Sequence, residues 1–65
     1  MTTETSLAPK EAELIAVGAS IAAGCQPCTR FHFQAARAAG ADDEEIRQAV
    51  RDALEVRSKV RLNLV

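Results

Sequence analysis

Tryptophan and tyrosine are absent from this 65-residue chain and phenylalanine occurs twice. An aromatic core is therefore excluded, and helices packed closely through small side chains are expected in its place. No apolar run approaches the roughly 18 residues needed to cross a bilayer. The opening MTTETSLAPK has neither the basic start nor the apolar stretch of a secretory signal. The net charge of −1 leaves no basic footprint for DNA or RNA. Strand alternation, internal repeats and low-complexity stretches are all missing. These absences point to an all-α cytoplasmic protein with neither a membrane nor a nucleic acid as partner.

A core of this size supplies no more than about 3 to 5 kcal/mol, so a disulfide, a metal or self-association is needed as well. The apolar share of 48%, much of it alanine, favours association through helix faces. Residues 1–8 read as a flexible lead-in and 9–65 as one helical domain. The ending LNLV is apolar and has no cap. It implies either that the last helix docks on a partner chain or that the domain is the core of a longer protein.

Three helices are expected. The first begins at Pro9, whose fixed φ suits a helix start, and ends near Ala23, with Gly24 as a left-handed cap. Leu14, Ile15, Gly18, Ile21 and Ala22 form its apolar stripe, and Gly18 permits a close neighbour. The second has Pro27 at its first position and runs to Gly40, with Phe31, Ala35 and Ala38 as a stripe. Asp42 and Glu45 form a capping box for the third. On that helix Ile46, Val50, Ala53, Val60 and Leu64 recur on one side, interrupted by Arg57. Asp43 with Arg47 and Glu55 with Lys59 are i,i+4 pairs on the wet side.

The chemistry lies in GCQPCTRFH, residues 24–32. Cys25 falls at the turn before the second helix and Cys28 in its first turn, with Pro27 stiffening the link. A helix N-terminus, a CxxC turn and a nearby imidazolium each lower a thiol pKa. His32, one turn after Cys28, is in reach to take or give a proton. As metal ligands, Cys25, Cys28 and His32 would make three, with Glu13 or a partner chain as the fourth. Structural zinc, however, takes a second ligand pair downstream, and the chain has none. Attachment of a c-type haem needs histidine directly after the second cysteine, where Thr29 stands. A redox couple, a metal site and an inert pair of small hydrophobes remain open on these residues.

Glu13, twelve positions before Cys25, completes the pattern E-x11-C-x2-C-x3-H. With its flanks, from ELIAVGASIAAGCQPC to DDEEIRQAV, it resembles the alkylhydroperoxidase D-like branch of the carboxymuconolactone decarboxylase family over roughly residues 10–56. The resemblance implies a small all-α domain in a homo-oligomer, a trimer or hexamer. It also implies a dithiol/disulfide cycle that reduces peroxides or passes electrons to a peroxiredoxin or lipoyl-protein partner. A lipoyl-type or thioredoxin-like dithiol would be the external reductant, with no bound cofactor or metal. Carried over, Cys28 is the peroxidatic thiolate, Cys25 the resolving thiol, and Glu13 and His32 the proton relay. A thiol at the helix cap is also well placed to be the more acidic one, so which cysteine attacks stays open. The chain departs from the peroxidase members at Pro27, where they tend to carry a second histidine. The departure makes a more general disulfide reductase an alternative. The decarboxylase members lack the cysteine pair, which weighs against lactone decarboxylation. The competing function is a non-catalytic helical assembly module with a structural metal or disulfide at the CxxC.

Overall fold

The computed structural model describes residues 7–63, with side chains through residue 59. The described residues form three helices, α1 (Pro9–Ala23), α2 (Gln26–Ala38) and α3 (Asp43–Asn63), and no strand. Helix α1 is the centre of the fold: α2 and α3 both pack on it and barely touch each other.

Capping chemistry sets each boundary. Pro9 opens α1, and the N–H of the extended Ala8 donates to the Glu11 carboxylate at 3.1 Å. Alanine has no side-chain oxygen to return the bond, so only half of a capping box forms. At the other end Gly24 adopts φ 75°, and the N–H groups of Gly24 and Cys25 reach back to the carbonyls of Ile21 and Ser20 at 3.0 Å each. That is a Schellman-type closure, which satisfies carbonyls the helix leaves over. Gly40, at φ 102°, closes α2 in the same way through Ala41 N–H and Ala36 O, 2.9 Å apart. The Asp42–Glu45 box on α3 forms in both directions, at 3.0 and 2.8 Å.

The core is small, and three of its five buried hydrophobic residues are alanine. Val17 and Ala36 are fully enclosed, with Ala41, Ile46 and Ala53 also buried and Leu14, Ile21, Phe33, Ala49 and Val50 packed partly against them. Burying a valine contributes about 1.5 to 3 kcal/mol. Gly18 admits α3, since a Cβ there would lie 3.8 Å from the Ala49 carbonyl and 3.9 Å from the Ala53 Cβ. This is ordinary contact, so the position tolerates an alanine.

Several sequence expectations need correction. Pro27 is the second residue of α2, not the first, because Gln26 already has helical geometry. The helix stops at Ala38, with Ala39 as cap, before Gly40. Phe31, Ala35 and Ala38 do not form the inward stripe: Phe31 is 64% exposed, and α2 buries Ala36 beside Phe33. Ile15 and Ala22 are likewise exposed, while Val17 and Ser20 point inward. Ser20 is tolerated there because its hydroxyl donates to the Ala16 carbonyl at 2.7 Å. Asp43 pairs with Arg37 at 3.3 Å, and Arg47 turns to Glu44 at 3.1 Å. The Glu55–Lys59 pair forms at 3.6 Å. Val60 and Leu64 of the α3 stripe, and the LNLV ending, lie outside the described side chains.

One long-range ion pair was not foreseen. Lys10 on α1 meets Glu45 on α3 at 3.0 Å, so the capping glutamate has a second role. The Asp42 N–H first and the Lys10 ammonium second hold Glu45 below its ordinary value of 4.5, and Lys10 is raised above 10.5, chiefly by its bond to Glu45.

Two outcomes follow for stability. Gly24→Ala is expected to cost about 1 to 2 kcal/mol by forcing a side chain into left-handed geometry, whereas Gly18→Ala should stabilise by about 0.5 to 1 kcal/mol. Urea melts of the two variants should therefore move in opposite directions. The second outcome concerns pH. A depressed carboxyl pKa gives stability that is present above 4.5 and is lost as pH falls through the lower folded value. A raised ammonium gives stability that is present below 10.5 and is lost only as pH climbs past the raised value. Glu45→Gln should accordingly be less stable than the parent at pH 7, and the gap should close in melts run well below the carboxyl range.

Candidate active site

Helix α1 leads into α2 through two residues, Gly24 and Cys25. Cys25 is the N-cap of α2, with extended backbone, and its Sγ accepts the Cys28 N–H at 3.3 Å. Its carbonyl takes the Thr29 N–H at 3.0 Å and the Thr29 hydroxyl at 2.9 Å. The cap thus holds the cysteine from both ends. Cys25 and Cys28 are joined as a disulfide, with Cα atoms 5.3 Å apart. Cys25 is half-buried and Cys28 exposed. Proline at 27 has no N–H of its own to satisfy in this first turn.

Because the chain reverses at Gly24, residues on the two helices that lie a few turns from the corner meet. Glu13 and His32 do so: Oε1 and Nδ1 are 2.7 Å apart, and each side chain is about one-third exposed. With Glu13 ionised, this bond requires the proton on Nδ1 and leaves Nε2 as the basic nitrogen. The Phe31 ring meets the imidazole edge-on at 5.0 Å and packs beside it. His32 follows Cys28 by four residues, which on a helix sets their Cβ atoms about 5 to 6 Å apart on one face. The four residues read from the sequence thus form two pairs, the Cys25–Cys28 bridge at the corner and the Glu13–His32 bond further along the two helices. Among the described residues, no three His, Cys, Asp or Glu side chains converge to hold a metal.

On the Cys25 side lies a cavity of about 610 Å³, bounded by Ser20, Thr29, Arg30, Phe33 and Arg57 among others. Glu13 and His32 do not line it. Arg57, which breaks the apolar stripe of α3, donates from Nη1 to the Ile21 carbonyl at 3.1 Å. It thereby puts positive charge at the negative end of α1. Neither Arg30 nor Arg57 was singled out for the site by spacing. The signal available was a lone cation that interrupts an apolar stripe.

Residues 1–59 match the carboxymuconolactone decarboxylase family. The chain belongs to that family. The match spans most of the sequence, including Glu13, both cysteines and His32, and agrees with the all-helical fold. Neither the curated proteins nor the solved structures yield a match. No helix among the described residues is long and apolar enough to cross a membrane.

A disulfide that closes so short a loop restricts the unfolded chain little and contributes about 2 kcal/mol in the chain-entropy account. Reduction is therefore expected to lower the melting temperature but leave the far-ultraviolet circular dichroism of a helical protein. Collapse of the helical signal on reduction would make the bridge a structural staple.

Proposed function

We propose that this member of the family is a thiol-disulfide oxidoreductase of the alkylhydroperoxidase D-like type, which reduces peroxides or a peroxidase partner through Cys25 and Cys28. The supporting observation is the 2.7 Å Glu13–His32 bond one helical turn from a bridged CxxC. A buttressed imidazole beside a thiol pair is what proton-coupled sulfur chemistry requires.

Cys28 is the exposed thiol next to His32 and takes the peroxidatic role. Its thiolate attacks the terminal peroxide oxygen, the O–O bond breaks, and the departing alkoxide or hydroxide takes a proton from the His32 imidazolium. Cys28 is left as a sulfenic acid. Cys25 then attacks that sulfur, water leaves, and the disulfide forms. A dithiol reductant restores both thiols and is itself oxidised to a disulfide. Glu13 keeps the imidazole oriented and balances its charge when it is protonated. With Pro27 where peroxidase relatives tend to carry a second histidine, one imidazole serves every proton transfer. Exchange with disulfides is accordingly expected to be faster than turnover of peroxide.

The reductant is an external dithiol of lipoyl or thioredoxin type, and a peroxiredoxin or a lipoyl-protein is the partner class. The cytosol is the compartment that keeps such a pair cycling. The active form is a homo-oligomer, because Ile15, Leu54 and Val56 remain more than half exposed around so small a core. Sedimentation should give a multimer, and a monodisperse monomer contradicts this part.

Peroxide consumption with a dithiol donor should be lost in Cys28→Ser, and Glu13→Gln should slow it by about 10²-fold or more while the helical signal persists. Equal rates for the wild type and Cys28→Ser overturn the redox reading. Stoichiometric zinc, with thiols unreactive toward alkylating agents, would identify the competing assembly module.

A further inference from the structure

The disulfide has two unlike sides. Cys28 opens to solvent on the side of His32, whereas Cys25 lines the 610 Å³ cavity, whose walls carry two guanidinium groups and no carboxylate. The volume lies in the range that takes a small organic molecule. Of the other described cations, Lys10, Arg37, Arg47 and Lys59 each sit against a carboxylate. Arg30 has no hydrogen bond or ion pair among the described residues, and Arg57 bonds a backbone carbonyl through Nη1, with its other donors facing no carboxylate. Arg51, also without a carboxylate partner among the described residues, does not line the cavity. Thr29 and Ser20 add polar edges, and Phe33 supplies an apolar wall. Unneutralised guanidinium groups in a concave site favour an anion, carboxylate above all.

We propose that this cavity docks a small carboxylate-bearing thiol, and that the reductant attacks the disulfide at Cys25 from this side. The inference rests on the redox reading above and narrows its electron donor to a small carboxylate-bearing thiol compound, a free lipoyl-type acid but not a thioredoxin-type protein, with its route of entry. The docked thiolate attacks Cys25 Sγ, and a new S–S bond forms to it as the Cys25–Cys28 bond breaks. The electron pair leaves on Cys28 Sγ, which takes a proton from the His32 imidazolium one turn along α2. A second thiolate attacks the donor sulfur of the mixed disulfide and releases the oxidised donor and Cys25 thiolate. Two thiols are oxidised to one disulfide as the protein disulfide is reduced to two thiols. Peroxide and reductant thus reach the sulfur pair from different sides.

The test is reduction of the oxidised full chain by mercaptosuccinate and by neutral 2-mercaptoethanol, followed by quenched alkylation and mass analysis. The readout is the ratio of the two rate constants, each expressed per thiolate. Arg30→Gln should lower this ratio about 3- to 10-fold and Arg30→Glu further, while Arg51→Gln leaves it unchanged. Added salt should lower the wild-type ratio, as it does for charge steering at a surface. A ratio that ignores Arg30 while both thiols reduce the disulfide overturns this proposal and leaves the redox reading standing. Failure of both thiols to reduce the disulfide overturns both.

Discussion

Gly24 turns the chain between α1 and α2, and the site depends on that turn. Its left-handed backbone lets two N–H groups return to the last carbonyls of α1, so the first helix closes within one residue of the second one's cap. Cys25 can then be both the end of one motif and the N-cap of the next. The same reversal lays α2 back along α1 and brings His32 to Glu13. Arg57 reinforces the corner from α3 by bonding the Ile21 carbonyl, so the third helix, which hardly touches α2, still braces the turn that positions the cysteines. A Cβ at residue 24 would require left-handed geometry and would press within 3.4 Å of that guanidinium.

Most of the backbone was legible because its signals are local. Pro9, Gly24 and the Asp42–Glu45 box act within a turn or two of themselves, and each marks a boundary the structure keeps, whereas α2 ends two residues before Gly40. The faces were less legible. In a chain rich in alanine, several stripes are nearly equally apolar, and burial is decided by which residue a neighbouring helix can approach most closely. Phe31 thus faces water while Ala36 is enclosed, and Val17 holds the centre in preference to Ile15. The Lys10–Glu45 pair and the Arg57 contact join positions about 35 residues apart. No periodicity encodes such pairings.

Four residues at family spacing were readable as a candidate site, and the hairpin brings two of them, Glu13 and His32, into contact. Glu13, eleven residues before Gly24, and His32, eight after it, meet across the two helices at 2.7 Å. What spacing did not reveal is the asymmetry around the sulfur pair. One sulfur is solvent-facing on the imidazole side. The other borders a cavity bearing unmatched positive charge, formed where α1 ends, α2 begins and α3 crosses. That asymmetry depends on Arg57, which in sequence is only an interruption.

The central claim is that Cys25 and Cys28 are a working redox couple and not a staple. The most direct measurement is the reduction potential of the pair, read by equilibrating the protein against glutathione buffers. A reversible two-electron titration with a midpoint above about −300 mV is the expected result, since structural disulfides lie below that value. A bridge that resists reduction down to that potential, or thiols that fail to re-form it, would contradict the account.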